Sequence, residues 1–149
     1  MYKRILLATD GSECSMKAAK YAIETARQNQ AELIALSVTE TKALQNLPVE
    51  ELTRKVTELF RRESEEVLER VEELASSMEG SVKVRKMILE GPSADTILRV
   101  ADEEGVDLIV VGASGKHALE RFILGSVSEK VVRHSTVPVL VVHSKKQKC

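Results

Sequence analysis

Three glycines and a serine near the carboxyl end of the chain have the types and spacing that suit a phosphate group. They form the pattern Gly112-x2-Gly115-x9-Gly125-Ser126, and the apolar run LIVV stands directly before Gly112. Glycine lets the backbone take positive φ and approach a ligand closely, while the free N–H groups and dipole of a helix start favour an anion. The pattern therefore predicts a phosphate site between the end of a strand and the start of a helix.

Each of these residues also fits a purely structural role. Ser126 and Glu129 have the spacing of a capping box, in which the two side chains satisfy N–H groups at a helix start. Gly112 also fits the end of a strand, and Gly115 fits a loop turn. Capping and phosphate binding are compatible, since a helix start offers several free N–H groups. Residue types alone leave both interpretations open.

A carboxylate follows the first apolar run of the chain. Asp10 comes directly after RILLAT, and open α/β sheets bind ligands just beyond the carboxyl ends of their strands. Because a carboxylate repels phosphate, we expect Asp10 to accept a hydrogen bond from adenine or ribose, or to reach a metal. The alternative is that Asp10 only caps the next helix.

Nine segments alternate between strand and helix patterns along the chain. The predicted strands are 4–9, 32–38, 82–89, 107–112 and 138–142, and the predicted helices are 13–30, 49–78, 94–104 and 126–134. Ser12 and Ser93 are expected to be N-caps. Strands that alternate with helices predict a parallel, doubly wound sheet with right-handed crossovers.

The second predicted helix is unusually long. About 30 residues at 1.5 Å each give ~45 Å, which exceeds the length of a strand in such a sheet. Its apolar stripe runs from Leu52 to Met78 and is interrupted at Glu63. We expect either that the helix breaks or that its overhang contacts a second subunit.

Composition narrows the function classes. A chain of 149 residues with 43% apolar residues predicts one domain, 1–149. A formal net charge of −1 and 3% aromatic residues, with no basic stripe, argue against a nucleic-acid partner. No apolar run approaches the ~20 residues that a membrane helix needs, so no membrane partner is expected.

Neither a metal site nor a catalytic set is predicted. The three histidines are scattered, with no cysteine or carboxylate at metal-ligand spacing. The chain begins with a strand rather than a signal-peptide core, and Cys14 and Cys149 alone make no disulfide framework. A cytoplasmic location is therefore expected.

The glycine–serine pattern, together with Asp10 after the first strand, resembles the nucleotide-binding pattern of the universal stress protein family, in its ATP-binding branch. The resemblance extends from ILLATDGS at the start to PVLVV at the end. It implies a Rossmann-like fold of the adenine nucleotide alpha hydrolase type. In that fold a five-stranded parallel sheet has the order 3-2-1-4-5, with helices on both faces.

The resemblance also implies ATP as ligand, with or without Mg²⁺. It assigns one group of residues to the adenosine side: Ala8, Thr9, Asp10 and Val38. It assigns a second group to the ribose and phosphates: Gly112, Gly115, Gly125, Ser126, Val127 and Ser128.

The function implied by the resemblance is a nucleotide-responsive stress or signalling module with an unknown signalling partner. Little turnover is expected, because no general base beyond Asp10 is identifiable. A slow ATP hydrolase or phosphotransferase, or a nucleotide-free dimeric interaction module, remain the alternatives. The family pairs its subunits through the C-terminal strand, so a homodimer through 138–142 is expected.

Overall fold

The computed structural model describes residues 1–40, 49–114 and 124–144. Five strands and four helices alternate along these ranges, and each lies within two residues of its predicted bounds. In order they are β1 Arg4–Ala8, α1 Glu13–Asn29, β2 Glu32–Thr39, α2 Glu50–Ser77, β3 Val84–Glu90, α3 Ser93–Glu103, β4 Leu108–Gly112, α4 Ser126–His134 and β5 Val139–Val142.

The strands form one parallel sheet in the order β3-β2-β1-β4-β5, which confirms the predicted order. Leu6 of β1 stands beside Ile34 of β2 on one side and Ile109 of β4 on the other. From β1 the chain first crosses to β2 and later returns to β4. The strand order therefore reverses between β1 and β4, and their carboxyl ends leave a crevice of the kind in which such folds bind ligands.

Successive residues of the central strands supply two separate cores, because side chains of a strand alternate between the two faces of the sheet. Ile5 and Leu7 pack with residues of α1 and α2, whereas Leu6 packs with residues of α3 and α4. Helices thus cover both faces, as predicted. Ile5, Leu6 and Leu7 are completely buried. Their packing fixes the position of β1, and with it the start of the turn that follows.

The turn from β1 into α1 is held by local hydrogen bonds. Ser12 is the N-cap of α1, as predicted, and its hydroxyl accepts a hydrogen bond of 3.2 Å from the Ser15 N–H. Gly11 adopts φ of 80°, a conformation that glycine takes without strain. A Cβ at Gly11 would lie 2.7 Å from atoms of Val67 and Arg70 of α2. The turn therefore requires glycine for two reasons.

Helix α2 is unbroken over its 28 residues, so the expectation of a break is wrong. At 1.5 Å per residue it is ~42 Å long, against ~26 Å for the eight-residue strand β2. Its first buried residue is Ser64, whose hydroxyl lies 3.0 Å from that of Ser37 on β2. We call residues 50–63, which precede that contact, the α2 overhang. Within the described ranges, no helix is both long and apolar enough to span a bilayer.

Cys14 lies in the first turn of α1, where it is completely buried. The structure places Cys14 in a disulfide bond, contrary to the expectation drawn from the cysteine count. Cysteine usage therefore gives no support for a reducing compartment.

Strand β5 forms one edge of the sheet. The N–H groups of Ile109 and Ala113 in and after β4 donate to the carbonyls of Pro138 and Val142. Because the polar groups of successive strand residues point to opposite sides, those of Val139 and Val141 point away from β4. Within the described residues this outer edge pairs with no other strand.

Candidate functional site

A cavity of about 420 Å³ opens at the carboxyl ends of β1 and β4. Its walls come from the β1–α1 turn, the ends of β2 and β4, and the first residues of α3 and α4. The volume lies within the range of roughly 300–1,000 Å³ that is usual for small-molecule sites. The cavity therefore occupies the place and has the size expected of a ligand site in this architecture.

One wall of the cavity is apolar. Leu36 and Val38 of β2 face the same space as Ile97 of α3, with Val111 of β4 and Ala8 of β1 beside them. Leu36, Ile97 and Val111 also belong to the core on the α3 and α4 side, so their positions are fixed by packing. A rigid apolar wall of this kind can take a flat, weakly polar ring.

The β1 end of the cavity is polar and internally hydrogen-bonded. The buried Thr9 hydroxyl lies 3.0 Å from the Ser15 hydroxyl and accepts a 3.3 Å hydrogen bond from the Gly11 N–H. The exposed Asp10 places Oδ1 2.9 Å from the Ser12 nitrogen, whose N–H it accepts. Asp10 does not cap α1, because the N-cap is Ser12, but its hydrogen bond stabilises the turn before the helix. The same hydrogen bond fixes its carboxylate at the cavity wall.

The start of α4 is tied to the end of β4. The Gly125 N–H donates to the Ala113 carbonyl at 2.8 Å, and the Ser128 hydroxyl donates to the Gly112 carbonyl at 2.6 Å. Ser128 is buried. These two bonds hold the first turn of the helix beside the strand end, so that both elements line one cavity.

The capping-box interpretation of Ser126 and Glu129, left open by the sequence, does not hold. Gly125, and not Ser126, is the N-cap, and no side chain caps the helix. Ser126 is instead an exposed residue in the first turn. In the part of the chain that the structure describes, no group accepts from the N–H of Ser126, Val127 or Ser128. Free N–H groups at the positive end of a helix dipole can bind an anion.

Close packing, rather than positive φ, explains the two glycines that the structure describes in this region. Neither Gly112 nor Gly125 has positive φ. A Cβ at Gly112 would lie 2.9 Å from the backbone of Cys14 and Ser15. A Cβ at Gly125 would lie 3.2 Å from the Ser114 Cα. Gly112 therefore lets α1 lie against the end of β4, whatever the cavity holds.

Asp10 and Glu40 are the charged residues that the structure places along the cavity. Glu40 lies 3.0 Å from the backbone nitrogen of Ser93 and accepts its N–H at the start of α3. No lysine or arginine lines the cavity within the described ranges. Nor do the described residues include a group of three or more metal-ligating side chains. The described part of the wall therefore offers an anion N–H groups and hydroxyls and no cationic side chain.

The structure brings nine of the ten predicted ligand residues to this one cavity. They are Ala8, Thr9, Asp10, Val38, Gly112, Gly125, Ser126, Val127 and Ser128. Gly115 lies outside the described residues. The arrangement is an observation, whereas the binding roles of these residues stay predictions.

Sequence reasoning missed seven further residues that line the cavity. They are Ser15, Leu36, Glu40, Ser93, Ile97, Val111 and Ser114. Glu40 could have been predicted from the sequence, because it follows β2 as Asp10 follows β1. Ser93 was expected to be an N-cap, but the N-cap of α3 is Pro92. The apolar residues Leu36, Ile97 and Val111 lie within regular elements. Their spacing in the sequence does not distinguish a residue of the cavity wall from a residue of the core.

Comparison with known proteins gives consistent matches. The model of the universal stress protein family matches residues 1–143. A universal stress protein of Methanocaldococcus jannaschii is 40% identical over 147 residues, which is 99% of this chain and 85% of the relative. Among solved structures, hypothetical protein MJ0577 has a TM-score of 0.85 at 33% identity, covering 97% of this chain and 98% of that one.

A further solved structure is described as a universal stress protein in complex with cAMP. Its TM-score is 0.70 at 26% identity, and the match covers 95% of this chain and 97% of that one. The likeness therefore spans both chains almost completely.

Proposed function

The chain belongs to the universal stress protein family, and from that premise we propose that its cavity binds ATP and that the protein is a nucleotide-responsive module in stress signalling. One observation carries the proposal. A cavity of about 420 Å³ has an apolar wall and, beside it, a helix start with N–H groups that no described residue accepts from. A related protein of known structure was solved with cAMP, which supports an adenine nucleotide as the ligand class.

In this proposal the adenosine occupies the β1 and β2 side of the cavity. Val38 and Ile97 offer an apolar surface to the adenine ring, and Ala8 leaves room beside it. Asp10, held by the Ser12 N–H, accepts a hydrogen bond from a ribose hydroxyl or the adenine amino group. Thr9 forms part of the same wall and positions Asp10 through the turn.

The phosphates lie at the start of α4. The N–H groups of Ser126, Val127 and Ser128 donate to phosphate oxygens, and the exposed Ser126 hydroxyl adds a further donor. Gly112 and Gly125 line the same end of the cavity, where their backbone can approach the phosphates closely. Mg²⁺ would enter with ATP and supply the counter-charge that the described wall lacks.

Little turnover is the expected behaviour. The Asp10 carboxylate already accepts the Ser12 N–H at 2.9 Å, which favours a positioning role. A general base must reach the proton that it abstracts, and no other residue of the described wall offers a better one than Asp10 and Glu40. We therefore propose that ATP is a ligand that changes the protein's interactions, and not primarily a substrate.

The proposal includes a homodimer formed through the outer edge of β5, a location in the cytoplasm and a signalling partner of unidentified class. The outward polar groups of Val139 and Val141 pair with no other strand among the described residues, so they can continue the sheet into a second copy. The dimer contact does not depend on the nucleotide.

The test is to denature the purified protein and identify by mass any nucleotide that it carries, and then to assay phosphate release. ATP recovered intact, with negligible phosphate release, supports the proposal. ADP together with steady phosphate release would replace it with a slow hydrolase or phosphotransferase. No carried nucleotide, and no binding when ATP is titrated, would leave the dimeric interaction module.

A further inference from the structure

The α2 overhang carries an apolar seam that the fold does not use. Leu52, Val56 and Leu59 recur at steps of four and three residues, and Val49 stands three residues before Leu52 at the N-cap. The three helical residues therefore lie along one side of the helix, and Val49 extends their line at its start. Val49 is 53% exposed, Leu52 43% and Leu59 62%, while Val56 is partly buried. Among the described residues, these are three of the six large hydrophobic side chains that are exposed.

The seam has the spacing of a helix–helix interface. Alternating steps of three and four residues match the a and d positions of a heptad, which pack against a second helix. Neither core cluster includes any of the four residues. The helix first contributes a buried residue at Ser64, about one and a half turns beyond Leu59. The seam therefore stands unpartnered among the described elements.

Charges on the overhang indicate the orientation of a partner helix. Glu50 and Glu51 occupy its first turn, and Arg61 and Arg62 stand about three turns later. An antiparallel copy of the same segment places each acidic end beside the other's basic end. A parallel copy would place like charges together. The helix dipoles also favour the antiparallel arrangement.

Local ion pairs do not prevent this contact. Arg61 lies 3.3 Å from Glu65 and Arg62 lies 3.5 Å from Glu58 along the same helix. Both arginine side chains are more than two-thirds exposed, and exposed pairs of this kind contribute little to stability. The arginines can therefore exchange or share partners when a second helix approaches.

From the seam and the charge pattern we infer that the α2 overhang is a self-association surface, which binds the overhang of a second copy in antiparallel orientation. The surface is small, since residues 50–63 span only ~20 Å of helix. It falls short of the roughly 800 Å² per partner that a stable interface buries. The association is therefore weak and depends on protein concentration.

This surface is distinct from the β5 edge. Helix α2 packs over β2 and β3, whereas β5 is the opposite edge of the sheet. Both contacts can form at once, so the protein can assemble beyond a dimer. The inference does not depend on the nucleotide.

The first experiment is sedimentation velocity on Leu52→Gln/Leu59→Gln across micromolar to millimolar concentrations. Glutamine keeps nearly the helix propensity of leucine, so α2 is retained and circular dichroism verifies this. We expect self-association at least tenfold weaker than in the parent protein. Val132→Gln is the matched control, because Val132 is 43% exposed on α4, away from the seam. Both are measured with Val141→Pro as background, which blocks pairing at the β5 edge.

The second experiment uses charge reversal with complementation. Glu50→Lys/Glu51→Lys and Arg61→Glu/Arg62→Glu are each expected to weaken self-association, whereas an equimolar mixture of the two restores it. A merely structural effect of either pair would not be restored by mixing.

Three results would overturn the inference. One is a monomer at all concentrations whose melting temperature falls in Leu52→Gln/Leu59→Gln. That result would mean that the seam is covered by another part of the same chain. Another is a monomer whose stability is unaffected, which would leave the seam to a different protein. The third is self-association that survives both the leucine and the charge substitutions.

Discussion

Asp10 shows how one side chain can serve the fold and a ligand together. Its Oδ1 accepts the Ser12 N–H, and its carboxylate lies on the cavity wall. If it also accepts a hydrogen bond from adenosine, Asp10→Ala removes an interaction of about 1–3 kcal/mol and weakens ATP binding by roughly tenfold or more. Isothermal titration calorimetry measures this change.

Asp102→Ala is the control for that measurement, because Asp102 is exposed on α3 and does not line the cavity. Asp10→Asn provides a second comparison, since its amide oxygen can still hold the Ser12 N–H. Unchanged affinity in Asp10→Ala would remove Asp10 from the ligand site.

Gly112 is required by packing. A Cβ there would meet Cys14 and Ser15 at 2.9 Å, and relieving such a contact in a packed core costs about 1–3 kcal/mol. We expect Gly112→Ala to lower the free energy of unfolding by that amount, as measured by urea denaturation. An unchanged unfolding midpoint would show that α1 can shift at no cost. Ligand binding would then be the remaining reason for a glycine at position 112.

Among the elements, the first turn of α4 contains two serines, Ser126 and Ser128, that have different roles. Ser128 is buried and its hydroxyl donates to the Gly112 carbonyl, so Ser128→Ala is expected to cost about 1 kcal/mol of stability. Ser126 is exposed and caps nothing. Ser126→Ala is expected to leave stability unchanged and to weaken ATP binding by roughly fivefold.

Thermal unfolding and ATP titration of both variants measure these effects. The reverse pattern, with Ser126→Ala destabilising the fold and ATP affinity intact, would contradict the assignment of α4 as the phosphate-binding helix.

The elements themselves were largely predictable from the sequence. Apolar runs and helical periodicity give all nine segments with bounds close to those observed, because each helix buries one consistent face and the central strands are apolar on both faces. The strand order was supplied by the family resemblance, since alternation of strands and helices does not fix it. The capping box failed because Ser126 stands one position inside the helix, a shift that spacing alone cannot detect.

The candidate site was predictable only in part. Ligand residues that directly follow a strand, such as Asp10, can be predicted from that position in the sequence. Leu36 and Ile97 are apolar residues within regular elements, and only the packing of β2 against α3 brings them to the cavity. The free N–H groups of α4 also depend on where the helix begins.

At the scale of the whole molecule, the free edge of β5 predicts a dimer. Proline at Val141 removes an outward N–H while leaving the β4 ladder, which uses the polar groups of alternate residues. We expect Val141→Pro to remain folded and to lose edge pairing, as measured by light scattering across micromolar concentrations. A dimer of unchanged strength in the variant would place the interface elsewhere.

Titration of nucleotide-free protein with ATP in the presence of Mg²⁺ decides whether the cavity binds ATP. We expect saturable binding of one ATP per chain, weakened by Asp10→Ala and unaffected by Asp102→Ala. Absence of binding to the folded protein at millimolar ATP would contradict this expectation, and the glycines and free helix start would then have only structural roles.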